Sequence, residues 1–158
     1  MLRSIIQSRI FILSKQHSFS SLGAGQDLLA DVLQDGGRPK TILEGYSSTG
    51  FEVGNDTIFE GSVLALPYSK FIYKPRKPAE VTVDSLKCFT VVNPSIEMVF
   101  FGSDVEFEQE KREEVRKWGR ESGVKVEFMG VGNASATFNI LNGEDRRIGA
   151  CLLTSSSS

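Results

Sequence analysis

The run at residues 147–153, "RIGACLL", limits the fold of this chain more than any other stretch. From Ile148 onward it presents apolar or small side chains to both sides, and a strand of that kind belongs in the middle of a sheet covered on both faces. The segments just before it supply such a sheet. "IEMVFFG" (96–102) reads as a buried strand, 107–122 as a helix, "VKVEFM" (124–129) as a strand and "NASATFNIL" (133–141) as a short helix. Strands alternating with helices in this way pair in parallel.

The first half of the domain reads differently. "TILEGY" (41–46), "GFEV" (50–53) and the continuous "TIFEGSVLALP" (57–67) read as strands, with Gly54-Asn55-Asp56 as a hairpin turn and Pro67 as a stop. "KFIYKPR" (70–76) is a strand that its prolines confine to an edge. Asp84 is positioned to cap a helix running through Val92, ended by Asn93-Pro94. The 107–122 helix has a thin apolar face, Phe107, Val115 and Trp118, so it belongs at the surface. Glu108 with Arg112 and Glu113 with Lys117 would support it as i,i+4 pairs. The sum is one α/β domain over 38–154: a mixed β-sheet with an antiparallel hairpin front half and a parallel back half, and helices packed on it.

Residues 1–25 differ in kind. Arg3, Arg9 and Lys15 stand among Ser, Gln and Ile with no acid before Asp27, and Leu2, Ile5, Ile6, Ile10 and Leu13 share one helical side. Such an amphipathic, acid-free leader is the pattern of a mitochondrial presequence, whereas a secretory signal needs a longer unbroken apolar core than "IFIL". Residues 26–37 read as a short helix and linker, and 155–158 as a Ser tail. Without the leader the 18 basic residues fall by 3 to 15 against 20 acids, a net charge of −5. An acidic body argues against nucleic acid as a partner. No apolar run approaches the length of a transmembrane segment, so any association with a membrane would be peripheral.

The one histidine, His17, lies inside the leader, so a mature domain would hold none. That excludes Ser-His-Asp and Cys-His nucleophile systems and His-ligated metals, and no cofactor is expected. Cys88 and Cys151 read as buried thiols. Glu44, Glu97, Asp104, Glu127, Glu144 and Asp145 have no spacing that marks an acid–base pair. Two stretches invite a binding role. Lys70, Phe71, Tyr73, Lys74, Arg76 and Lys77 mix cations with aromatic rings and suit a protein partner, or else a lysine-guarded edge. "GVGNAS" (130–135) has two glycines of a dinucleotide fingerprint but not the third, and no acid about 20 residues later. It reads as a turn in which Asn133 caps the next helix, with Ala134, Phe138 and Leu141 toward the sheet. The competing reading is a small mitochondrial enzyme or a metabolite- or anion-binding protein using a crevice near Gly102 and Gly130.

A set of motifs, in order, then carries a resemblance. Tyr46, Phe51 and Val53, Gly61-Ser62-Val63-Leu64 with Pro67, Pro94 and Glu97 before the strand into Gly102, and Gly123 with Val126-Glu127 come first. Ala134, Thr137-Phe138-Asn139, Leu141, Glu144 and Arg146-Arg147 complete the set. Over about residues 41–153 this resembles the assembly factor 3 family of mitochondrial respiratory complex I. The resemblance implies a non-enzymatic matrix protein, peripheral to the inner membrane. It would help build the NADH:ubiquinone oxidoreductase by binding early hydrophilic-arm subunits of the quinone module and a second assembly factor. The chain departs from the family's pattern at Gly102-Ser103-Asp104, at Phe71 and Tyr73, and at Gly130-Val131-Gly132.

Overall fold

A computed structural model describes residues 38–154 except Asn55. The expected presequence, the 26–37 helix and linker, and the Ser tail lie outside the described residues. The unit that begins at Lys40 contains two sheets. Strands β1 (Leu43–Tyr46), β2 (Gly50–Val53) and β3 (Thr57–Glu60) form an antiparallel meander. Strands β4 (Ser62–Leu66), β5 (Ser69–Tyr73), β6 (Met98–Gly102), β7 (Lys125–Met129) and β8 (Ile148–Leu152) form a five-stranded sheet in the order β5-β4-β8-β6-β7. Within it β5, β4 and β8 are antiparallel neighbours, while β8, β6 and β7 run parallel. The mixed α/β class read from the sequence is therefore the observed one, with the antiparallel strands divided between two sheets.

The division falls at Gly61. "TIFEGSVLALP" is not one strand but two, because Gly61 takes φ +95 and hands the chain from the small sheet to the large one. A residue with a Cβ is strained at that angle. As its apolar pattern requires, β8 lies at the centre, with all five residues buried, and so are all five of β4 beside it.

Helices α1 (Gln109–Ser122) and α2 (Val131–Gly143) connect β6 to β7 and β7 to β8. Two apolar cores result, one on each face of the large sheet. On one face Leu64, Phe101, Cys151 and Leu153 pack with Trp118 and Val115 of α1 and with Leu86 and Phe89. On the other, Val63, Ala65, Phe100 and Leu152 pack with Ala134 and Phe138 of α2 and with Phe51 and Val53 of the small sheet. The expected i,i+4 pairs of α1 give way to others: Arg116 meets Glu113 at 3.1 Å, Lys111 meets Glu114 at 2.6 Å and Arg112 reaches back to Glu106 at 3.4 Å.

Helix boundaries differ from the sequence reading: α1 begins at Gln109 rather than 107, and α2 ends at Gly143 rather than 141. The segment capped at Asp84 is a 3-10 helix, Val83–Phe89, whose N-cap is Thr82, and it ends three residues before Val92. Its inward residues Val83, Leu86 and Phe89 recur every three positions, the period of a 3-10 turn rather than an α-helix. Ser85 Oγ also donates to the Thr82 carbonyl at 2.5 Å, which tightens the same turn. Helix α2 starts at Val131, with Gly130 as N-cap, so Asn133 lies inside the first turn and is not the cap.

Candidate functional site

The basic and aromatic residues of 70–77 come together on and just after β5, an edge strand as expected. Phe71, Lys74, Arg76 and Lys77 are exposed and Lys70 is half-buried. Tyr73 is the exception: only 5% exposed, it belongs to the core, and its hydroxyl pairs with Ser85 Oγ at 2.6 Å. Burial and the neighbouring Cys151 push the Tyr73 phenol well above its usual range. A partner meeting this edge therefore finds one aromatic ring, not two. In place of Tyr73 it finds Ile72, 68% exposed, which the sequence reading passed over. The sequence alone does not mark it: Tyr73 is drawn inward to Ser85, and Ile72, its neighbour on the strand, takes the opposite face.

The chain after β5 is pinned. Glu80 accepts the backbone N–H groups of Arg76 at 2.8 Å and Lys77 at 3.4 Å, which holds its carboxyl below the usual range. The cations at 74–77 are thus presented on a fixed turn.

The crevice near Gly102 and Gly130 is filled. A Cβ on Gly102 would lie 2.7 Å from both Ala134 Cβ and Leu152 Cδ2, so this glycine exists to let α2 pack on the sheet. The N-terminus of α2, where an anion would be drawn, already faces a carboxylate: Val131 N–H donates to Asp104 Oδ1 at 3.2 Å. Gly132 is less constrained: its Cβ would lie 2.8 Å from the hydroxyl of Tyr46, the tip of an exposed side chain that can shift. The departure at Asp104 thus has a structural account, since its carboxylate meets the first N–H of α2.

The remaining carboxylates are also placed by the structure. Asp145 pairs with Lys40 at 2.6 Å and Glu127 with Lys125 at 3.4 Å. Glu44 meets Glu52 and Asp56, with carboxylate oxygens within 4.8 Å of one another at the solvent-facing end of the small sheet. Cys151 is fully buried and Cys88 half-buried, and burial raises both thiols.

The motif residues prove to be framework. Ser62 Oγ accepts from Thr154 N–H at 3.0 Å, and Asn139 bonds both the N–H and the C=O of Leu43, at 2.9 and 2.8 Å. Phe51 and Phe138 are core, Pro67 receives Thr41 N–H at 2.7 Å, Thr137 is half-exposed on α2, and Glu144 follows that helix as its C-cap. Arg147 holds Glu97 through two nitrogens, with Arg146 3.8 Å away. That bond and charge depress the Glu97 pKa. A depressed folded-state value means the pair's stabilisation is complete above the ordinary carboxylate range and disappears as pH falls through the lowered value. Urea midpoints of the wild type and Glu97→Gln should therefore differ at pH 7 and converge toward pH 3. A gap that stays constant with pH would show that the ionised pair contributes nothing.

Among the described residues no helix is long and apolar enough to cross a membrane. A family model described as a protein of unknown function (DUF498/DUF598) matches residues 43–153. NADH dehydrogenase (ubiquinone) 1 alpha subcomplex assembly factor 3 of Danio rerio is 30% identical, over 77% of this chain and 69% of its own length. The Bos taurus relative of the same name is 33% identical over 70% and 59%, and that of Homo sapiens 30% over 77% and 65%. The chain thus spans less than two thirds of the bovine and human proteins. Among solved structures, a Rhodopseudomonas palustris protein superposes with TM-score 0.58 at 26% identity, covering 73% of this chain and 87% of that one. A Mth938-like domain of Bordetella pertussis gives 0.61 at 22% over 75% and 88%, a likeness of fold alone. With the family match running from the start of β1 past the end of β8, the chain belongs to the DUF498/DUF598 family and, within it, to the complex I assembly factor 3 family.

Proposed function

We propose that this chain is a non-catalytic assembly factor for mitochondrial respiratory complex I. In this reading residues 1–25 deliver it to the matrix, where it acts at the inner membrane's inner face. There it binds early hydrophilic-arm subunits of the quinone module together with a second assembly factor. The observation that carries the proposal is the set of relatives: those of Danio rerio, Bos taurus and Homo sapiens, at 30–33% identity, share the name NADH dehydrogenase (ubiquinone) 1 alpha subcomplex assembly factor 3. The filled crevice at Gly102 and Gly130 supports a role through surfaces rather than through a bound metabolite.

The surface proposed for the quinone-module subunit is the β5 edge, where Lys70, Phe71, Ile72, Lys74 and Lys77 combine exposed apolar area with positive charge on an acidic body. Disrupting the gene should deplete mature complex I on native gels and leave partial assemblies. Re-expression of the wild type should restore it, while Lys70→Glu/Lys74→Glu/Lys77→Glu, at equal protein level, should not. Normal complex I after disruption would end the proposal, and full rescue by the triple variant would remove the β5 surface from it.

A further inference from the structure

The opposite edge of the large sheet is built differently. β7 is the last strand on that side, pairs with β6 in an unbroken five-residue register, and contains no proline. Lys125 N–H donates to Glu97 C=O at 2.9 Å and Ser103 N–H to Met129 C=O at 3.1 Å. Residues 125, 127 and 129 therefore turn their peptide groups toward β6. Strand alternation turns those of Val126 and Phe128 outward, leaving two N–H and two C=O groups on an edge of half-exposed residues. Sheets usually guard such edges with lysine, proline or a bulge. β5 carries Lys70 within it and is followed by Lys74 and Pro75; β7 has only Lys125, held by Glu127.

What borders β7 is cationic. Helix α1 lies so close that a Cβ on Gly119 would be 2.6 Å from the Val124 carbonyl oxygen. Arg112, Arg116 and Arg120, four residues apart, form one row on it. The first two lie over Phe128, 5.5 and 5.6 Å from its ring centre. Arg116 and Arg120 then join Lys125 around a groove of about 390 Å³ floored by Val124 and Val126, with no carboxylate in its lining. Glu106 and Glu113 meet Arg112 and Arg116 from outside the groove, whereas Arg120 makes no ion pair among the described residues.

We propose that β7 is a docking edge for an extended acidic segment of a partner protein, which adds as a sixth strand and sets its carboxylates against Arg116 and Arg120. Main-chain bonds to Val126 and Phe128 supply the pairing, and the cationic groove selects acidic sequences. The two edges of the sheet are four strand spacings apart, about 19 Å, so partners at β5 and β7 would be held side by side by one small domain.

The test uses the full chain and a short labelled peptide alternating Glu and Thr, with a Lys–Thr peptide of the same length beside it. The Glu–Thr peptide should bind and protect the Val126 and Phe128 amides from hydrogen exchange. Binding should weaken about tenfold or more in Arg116→Glu/Arg120→Glu, as charge reversal at a complementary interface demands. Val126→Pro removes an outward N–H, at a position where edge strands accept proline, together with part of a side chain packed under α1, and should weaken it likewise. Absence of binding, equal binding of the Lys–Thr peptide, or indifference to the arginine reversals would overturn the proposal. Protection that grows with the concentration of the chain alone would also overturn it, since a second copy would then be the occupant. If Val126→Pro does not fold, as circular dichroism would show, the arginine reversals decide alone.

Discussion

Replacing Phe138 by alanine should cost about 3–5 kcal/mol, the range for a fully buried ring left as a cavity. In a chain of this size that lowers the melting temperature by roughly 10–15 °C. Phe138 is fully buried in the core shared by α2, the large sheet and Phe51 and Val53 of the small one. The neighbours cannot collapse onto the space, because α2 is held at Gly102 by contact with the strand itself and at Asn139 and Asn142 by bonds to the segment 41–43. Ile140 on the same helix, 62% exposed, provides the comparison: Ile140→Ala should change stability by less than about 0.5 kcal/mol. Urea unfolding of both variants measures the contrast. A loss below about 1 kcal/mol for Phe138→Ala would mean that α2 does not join the two sheets as the packing indicates.

The large sheet was legible because its signal is one of burial. β8 and β6 are apolar or glycine at every position, β4 at all but Ser62, and the interior of a covered sheet suits them. The helix 107–122 was legible for the opposite reason, since one strip of Phe107, Val115 and Trp118 can cover a sheet only from outside. Misreadings arose where one residue did two jobs. Gly61 ends a strand and starts another within a stretch that reads as one strand, and its φ of +95 reveals the change of sheet. Asn133 looks like a cap until Asp104, 27 residues before Val131, is found occupying the start of α2. No local pattern reports a partner from so far away.

The same physics governed the surface. The β5 edge could be located because prolines follow it and lysines lie along it, but which of Phe71, Ile72 and Tyr73 faces water depends on what covers each side. Tyr73 finds Ser85 across the 3-10 segment and is drawn in. The row Arg112, Arg116, Arg120 was present in the sequence as a four-residue repeat, yet its meaning depends on β7 being the last strand. That order is set by pairings between segments far apart in the chain.

Asn142→Leu, which keeps the branched skeleton of the side chain but replaces the amide with bulkier methyls, should cost about 2–3 kcal/mol, because hydrogen bonds are lost in a site water cannot reach and the extra bulk must be accommodated there. Asn142 is 2% exposed, and its Nδ2 donates to the Thr41 carbonyl at 2.9 Å and to the Pro67 carbonyl at 3.3 Å. Pro67 keeps a partner after the change, since Thr41 N–H still reaches it at 2.7 Å, so the cost arises mainly from the stranded Thr41 carbonyl. Asn139 makes an equally good pair of bonds to Leu43 but is half-exposed, and water can replace it there. Asn139→Leu should accordingly cost about 1 kcal/mol, the usual net worth of an accessible bond. Urea midpoints order the two variants, and hydrogen exchange at the Leu43 and Thr41 amides locates the damage: both should open in Asn142→Leu before the large sheet does. Equal losses in the two variants would show that burial of the amide does not decide its contribution. An undiminished Thr41 amide in Asn142→Leu would show that α2 does not hold the entry of the chain into the small sheet.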